Sequence, residues 1–307
     1  MNTQVSCTVK GKKITLKSPI IPAPGGFGNV VEFAKYVDLT RLGAVMPNSM
    51  LKEDGSPSVN NKFKRVPCGY LSAFGPNNIG LKTFIDTVLN DIPKDVPVVV
   101  DLKSRDMEEM AELAAMASEE PKIAAIEVNL TCPYGIPAKP YYQDPDQLLL
   151  LMGMVRRSAG EKLLIAKGPG GLYPLAPVIG VLEEVGVDMF VPFNCISGLS
   201  VDIRTRTTQG GGYFGPGVKP ITMGVLKEAV SLSKMPIIGA GGITSAEDII
   251  EYIMAGAFAV QVGSANLRRP DFLQILTEDL ERLMEELHIE SLDEIRGTAS
   301  PLKTELF

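Results

Sequence analysis

Eight short apolar runs limit the fold of this chain more than any other feature. They are Pro19–Ala23, Ala44–Met46, Val98–Asp101, Ala124–Asn129, Leu163–Lys167, Met189–Asn194, Pro236–Gly239 and Ala259–Val262. Each is too short for a buried helix, and most are rich in Val and Ile, as buried strands are. Between them lie segments of helical periodicity, clearest over Met107–Ser118, Ala246–Ala255 and Pro270–Leu287. Strands alternating with helices imply a parallel sheet with helical crossovers. Eight such strands match a (β/α)8 barrel. The alternative is a doubly wound open sheet, which would carry a G-x-G-x-x-G turn after its first strand. Here that turn is PAPGGFGN, with the wrong spacing. Ahead of the first run, Gln4–Val9 and Lys13–Leu16 flank a Lys-Gly turn and predict a β-hairpin. No linker, charge block or low-complexity stretch divides the 307 residues, so a single domain over residues 1–307 is expected.

Composition narrows the chemistry. The one histidine, His288, sits in the polar stretch LMEELHIESLDEIRG near the C-terminus. A multi-histidine metal site is therefore excluded, and no metal is expected. Proton chemistry near neutral pH falls to Cys, Lys, Tyr or a carboxylate. A net charge of −6 argues against general nucleic-acid binding. No apolar stretch is long enough to span a bilayer, so no membrane association is expected. The start, MNTQVSCTVKGKK, lacks the apolar core of a signal peptide. Cys7, Cys68, Cys132 and Cys195 form no CxxC pair and read as free thiols of a cytoplasmic protein.

In such a barrel the active site lies at the C-terminal ends of the strands. Polar and glycine residues gather at those ends: Ala23-Pro-Gly25-Gly, Pro47-Asn48-Ser49, Asn129-Leu-Thr-Cys132-Pro, Lys167, Asn194-Cys195, Gly239-Ala-Gly241-Gly242 and Gly263-Ser264. Barrels often bind phosphate in the loops after strands seven and eight. Gly241 and Gly242 would let a phosphate approach backbone N–H groups, and Ser245 would cap the following helix. The plainer reading is that these glycines only make tight turns. Cys132 suits a base or a nucleophile, or equally a small buried hydrophobe. Lys167 suits a Schiff base, a phosphate contact or stabilisation of negative charge, against a rim salt bridge.

The segment IEVNLTCPYGIPAKP resembles the strand-and-loop motif of class 1 dihydroorotate dehydrogenases, where Asn-Leu-Ser-Cys-Pro-Asn is typical. PIIGAGGITSAEDIIEYIMAGAFAVQVGSAN resembles their flavin-phosphate segment. SPIIPAPGGFG is similar to their first strand, and GGGYFGPGVKPITM to the loop and helix start before strand seven. The resemblance covers about residues 5–300, and the loop GIPAKP is closer to the homodimeric, fumarate-using subgroup. It implies an FMN-dependent oxidation of dihydroorotate to orotate, in pyrimidine biosynthesis, by a cytoplasmic homodimer. The FMN phosphate would sit on Gly241, Gly242, Gly263 and Ser264, with Gly215 nearby. Ala23, Gly25 and Asn48 would add cofactor contacts. Lys167 would face the electron-rich edge of the flavin. Asn129 and Asn194 would hydrogen-bond flavin or substrate. Cys132 would be the general base, an unusual choice given its reference pKa of ~8.5.

Several positions depart from the family pattern. Asn48 stands where a lysine is usual, Ser72 and Tyr134 where asparagines are usual, and Cys195 where a serine is usual; Asn78 matches. These are substrate-side positions, and sites built to hydrogen-bond a substrate discriminate strongly when such groups change. A different substrate, such as a dihydropyrimidine or another cyclic enone-type compound, is therefore an alternative. So are a non-catalytic flavin-binding subunit and a cofactor-free barrel using Lys167 as a Schiff base.

Overall fold

A computed structural model describes residues 2–53, 63–72, 79–132, 139–169 and 173–300. Thirteen strands and eight α-helices are assigned among the described residues. The strands are β1 (Val5–Val9), β2 (Lys12–Leu16), β3 (Ile20–Pro22), β4 (Phe63–Val66), β5 (Gly69–Ser72), β6 (Val98–Leu102), β7 (Ile123–Asn129), β8 (Leu163–Lys167), β9 (Met189–Val191), β10 (Ile196–Asp202), β11 (Thr207–Phe214), β12 (Ile238–Ala240) and β13 (Ala259–Val262). The helices are α1 (Leu81–Thr87), α2 (Met107–Glu119), α3 (Pro145–Ala159), α4 (Leu175–Val185), α5 (Lys219–Leu232), α6 (Ala246–Met254), α7 (Phe272–Glu286) and α8 (Leu292–Ile295).

The parallel strands close into a ring. β6, β7, β8 and β9 pair in that order, and β12, β13 and β3 form a second parallel set. Two bridges join the sets. Phe190 N–H donates to Pro236 O (3.1 Å) on one side. On the other, Gly43 N–H donates to Ile20 O (2.9 Å), and Val45 pairs with Val98. Counting residues 43–46 as the second strand, eight strands complete a (β/α)8 barrel. That strand is held by one bridge rather than a ladder, so Ala44–Met46 is shorter in effect than its sequence suggests.

Local chemistry explains the element boundaries. α2 starts at Asp106, whose carboxylate accepts from Glu109 N–H. α3 starts at Asp144 with Pro145 in its first turn. Ser245 and Asp248 form a capping box at the start of α6. The predicted run Pro236–Gly239 becomes strand only from Ile238, since Pro236 has no N–H to give a ladder. The predicted Met189–Asn194 ends at Val191, just before Pro192. The β1–β2 hairpin turns at Lys10 and Gly11, both with positive φ (46° and 77°), as a two-residue hairpin turn demands.

One sheet was not foreseen. β10, β11, β5 and β4 form a four-stranded antiparallel sheet. It is built from hairpins that leave the barrel after the second and sixth barrel strands, so it belongs to the C-terminal end. GGGYF of the segment expected as a loop is the end of β11, with Gly212, Tyr213 and Phe214 opposite Ser72, Leu71 and Tyr70. The packed interior includes the barrel lining and the helix faces turned to it, among them Leu113, Leu151, Leu182, Ile249 and Leu276. No helix of the described chain is long and apolar enough to cross a membrane.

Candidate active site

Parallel barrel strands are normally near-continuous apolar runs. Here charged and amide side chains interrupt four of them, and they meet. Lys167, at the end of β8, is 4% exposed. Its Nζ donates to Gln261 Oε1 of β13 (2.5 Å) and lies 3.3 Å from Glu127 Oε1 of β7. Gln261 Nε2 donates in turn to Glu127 Oε2. Burial pushes the Glu127 carboxyl up to about 7, against the pull of Lys167 and with a further push from Asp101. Asp101, in β6, is fully buried, and its Oδ2 has no hydrogen-bond partner among the described residues. The interior thus holds two carboxylates, of which Glu127 is paired with the Lys167 ammonium.

One step toward the C-terminal end lies an amide pair. Asn129 is in register with Lys167. Its Oδ1 accepts from Asn194 Nδ2 (3.1 Å), Thr131 N–H (3.2 Å) and Thr131 Oγ1 (2.5 Å). Its Nδ2 faces Asp101 Oδ1 at 3.5 Å. Cys132 follows, 1% exposed, its N–H donating to Asn129 O (3.2 Å). Ser104 N–H, just beyond β6, points at Cys132 Sγ (3.5 Å). Burial pushes this thiol up to about 11, while Ser104 N–H and the Lys103 ammonium pull it down. Burial also raises the Cys195 thiol, opposed by Lys103 and Lys167. Cys195 therefore belongs to the same constellation although β9 ends before it. A Cβ built on Gly212 would lie 2.8 Å from Cys195 Sγ, so the buried Ser72, opposite Gly212, sits beside it.

The glycine sites form a second cluster around the ends of β12, β13 and β3. Gly241 and Gly242 have φ of 106° and 75°, where glycine is favoured. A Cβ on Gly242 would fall 2.6 Å from Lys219 Cβ, so its backbone abuts the start of α5 as well as α6. Gly242 is buried, and among the described residues its N–H, like those of Gly241, Gly263 and Ser264, is given no acceptor. Ala23 N–H donates to Val262 O (2.8 Å), and a Cβ on Gly26 would meet Gly263 O at 2.8 Å. The loops after β3 and β13 therefore touch. Gly25 N–H donates to Asn48 Oδ1 (3.1 Å), so Asn48 ties the second strand to the first loop. Gly215 is packed against Gly69 and Cys68 of the β4–β5 hairpin, four residues before Lys219, the residue that Gly242 abuts. Asn78 and Tyr134 lie outside the described residues. His288, expected to lie outside the chemistry, is exposed and follows α7 in the left-handed region (φ 56°).

A family model described as dihydroorotate dehydrogenase matches residues 6–284. The chain belongs to the dihydroorotate dehydrogenase family. Its relatives include three proteins named dihydroorotate dehydrogenase B (NAD(+)), catalytic subunit. The one from Maridesulfovibrio salexigens is 36% identical over 93% of this chain and 95% of its own length. That from Solidesulfovibrio magneticus is 35% identical, over 96% and 98%. That from Enterococcus faecalis is 32% identical, over 96% of each.

Dihydroorotate dehydrogenases of this class are FMN-dependent oxidoreductases acting on a CH–CH bond. The residues present fit that cofactor. The buried, unpaired N–H of Gly242 lies where two helices begin, and helix starts attract phosphate. Lys167 supplies a fixed ammonium inside the barrel, where charge stabilisation is strong. Sequence reasoning missed Lys103, Asp101 and Gln261, and gave Glu127, at the end of strand four, no role. Their signal was a polar residue inside or just after an otherwise apolar strand, as in VVVDLK, IEVN and AVQV.

Proposed function

We propose that this chain is the FMN-binding catalytic barrel of a dihydroorotate dehydrogenase, a single domain over residues 1–307 that oxidises dihydroorotate to orotate in pyrimidine biosynthesis. The observation that carries this reading is the arrangement of Cys132 and Lys167. Lys167 ends β8, Cys132 lies three residues past the end of neighbouring β7, and the two are joined through Asn129, whose backbone is in register with Lys167 and accepts from Cys132 N–H. Bound FMN supplies a two-electron acceptor for the hydride leaving the substrate carbon. Gly241, Gly242, Gly263 and Ser264 would hold its phosphate by backbone N–H groups. Ala23, Gly25 and Asn48 would shape the wall beside it. Lys167 would hold a positive charge where the cofactor gains electrons. Cys132 Sγ would take the proton from the carbon α to the substrate carbonyl. Asn129 and Asn194 would orient the ring through their amides.

Lys167 is a poor Schiff-base amine, since its Nζ is already committed to Glu127 and Gln261 in a buried setting. The relatives' names describe catalytic subunits of a B-type, NAD(+)-linked enzyme. We therefore read this chain as a cytoplasmic subunit that works with a partner, in preference to the self-sufficient homodimer that its GIPAKP loop resembles. Mass measurement of the native complex would separate the two.

The test is purification followed by turnover. Yellow protein that releases FMN on denaturation and reduces a dye with dihydroorotate is expected. Colourless protein that takes up no added FMN would overturn the reading. A second reading keeps the flavin but changes the substrate to a dihydropyrimidine or cyclic enone-type compound. It is favoured by Ser72, which sits opposite Gly212 and beside Cys195 where larger amide contacts would be expected. Flavin reduction by such compounds, without reduction by dihydroorotate, would select it.

A further inference from the structure

We infer that Lys103 is the side chain that recognises the negative charge of the substrate, and so sets a preference for ring compounds bearing a carboxylate. The inference rests on the reading of the site as that of a dihydroorotate-oxidising flavoprotein.

The backbone places Lys103 at the mouth of the barrel. β6 ends at Leu102, but Lys103 N–H still donates to Met50 O (2.9 Å), so the chain remains extended past the strand end. Side chains alternate along an extended segment. Asp101 faces inward, toward Asn129 Nδ2, so Lys103, two residues on, stands on the same inner face and nearer the C-terminal end. The next residue, Ser104, aims its N–H at Cys132 Sγ. Lys103 is therefore beside the proposed base. Its positive charge pulls down the thiols of both Cys132 and Cys195, so its field reaches the end of β7 and the segment after β9.

Lys103 is also uncommitted. It is half-buried, and among the described residues its Nζ has no carboxylate, carbonyl or hydroxyl partner. Lys167 differs, being held by Glu127 and Gln261. Asn48, at the end of the second barrel strand, carries no charge and already accepts from Gly25 N–H. Of the cations placed beside Cys132, Lys103 alone among the described residues has a free head. An ammonium in a recess of lowered dielectric attracts an anion strongly, and a neutral ligand far less. The cation missing from position 48 is thereby supplied from the next strand.

The test compares dihydroorotate with its neutral methyl ester on the FMN-loaded protein, in wild type, Lys103→Met and Lys103→Arg. Retained FMN in each variant reports an intact barrel. In Lys103→Met, KM for the acid is expected to rise at least about tenfold with little change for the ester, collapsing the acid-to-ester preference. Lys103→Arg should keep most of that preference. Orotate binding, followed by the change in flavin absorbance, should weaken in parallel in Lys103→Met. An acid-to-ester preference unchanged in Lys103→Met overturns the inference while leaving the proposed function standing. A wild-type protein that holds FMN but accepts neither compound overturns both.

Discussion

Asn194 Nδ2 donates to Asn129 Oδ1 at 3.1 Å, tying the segment beyond β9 to the end of β7. Asn129 Oδ1 also accepts from Thr131, so the amide is oriented by three donors from two parts of the chain. An acidic group at position 194 would turn a donor into an acceptor facing an acceptor. Asn194→Asp is therefore expected to lower stability more than Asn194→Ala, by about 1–3 kcal/mol. Denaturant midpoints of the two FMN-free variants at pH 8 would measure this; equal midpoints would remove the amide pair from the account.

Cys132 should set the pH dependence of substrate oxidation. Burial raises the thiol to about 11, so the thiolate is a minor species at neutral pH. Its population, and with it a rate limited by proton removal, grows about tenfold per pH unit below that value. Stopped-flow reduction of the bound flavin by substrate should accelerate from pH 6 to 9. Cys132→Ser should retain FMN and slow that step by roughly 10²–10⁴, the usual worth of a positioned base. Reduction at the wild-type rate in Cys132→Ser would exclude the thiol from the mechanism.

Lys167 and Glu127 should be coupled energetically. At a pH well above the value of about 7 to which burial pushes Glu127, removing the ammonium leaves a buried charge to be compensated or neutralised, at a cost of up to about 3–5 kcal/mol. Lys167→Met is expected to lower the thermal midpoint sharply. Adding Glu127→Gln should recover much of the loss, because the remaining group is then neutral. Additive losses in the double variant would show that the two act independently.

Gly242→Ala should abolish cofactor retention before it abolishes folding. The new methyl group would meet the first residue of α5 at under 3 Å while the backbone keeps a positive φ. Relief requires the loop to move away from both helix starts. The expected product is a folded, largely colourless protein by circular dichroism and absorbance. Full FMN content in this variant would remove Gly242 from the phosphate site.

The barrel was legible because its strands are buried on both faces and read as apolar runs. The start of α6 was equally legible, since Ser245 and Asp248 advertise their capping box. The antiparallel sheet was not. β10 exposes Leu199 and Val201, and β11 is largely Thr, Gln and Gly, so neither shows a buried face. β11 is held over Thr207–Tyr213 by the adjacent β10, and only Gly212–Phe214 pair with Tyr70–Ser72, far away in sequence. Within the site, Cys132, Asn129 and Lys167 were found because unusual residues stood at strand ends. Lys103 was passed over because a lysine beyond a strand ordinarily belongs to the solvated rim; the inward Asp101 two residues before it and the approach of Ser104 to Cys132 show which way it faces.

The two hairpins that form the antiparallel sheet come from separate stretches of chain, and neither contributes a strand to the closed ring. Ser72 and Gly212 lie in a graft laid on the ring, beside Cys195, whereas the residues that would grip the flavin, Lys167, Gly241, Gly242 and Gly263, belong to the ring and its loops. Changes in the graft need not disturb the grip. A lineage built this way can try new ring compounds without first relearning how to hold its flavin.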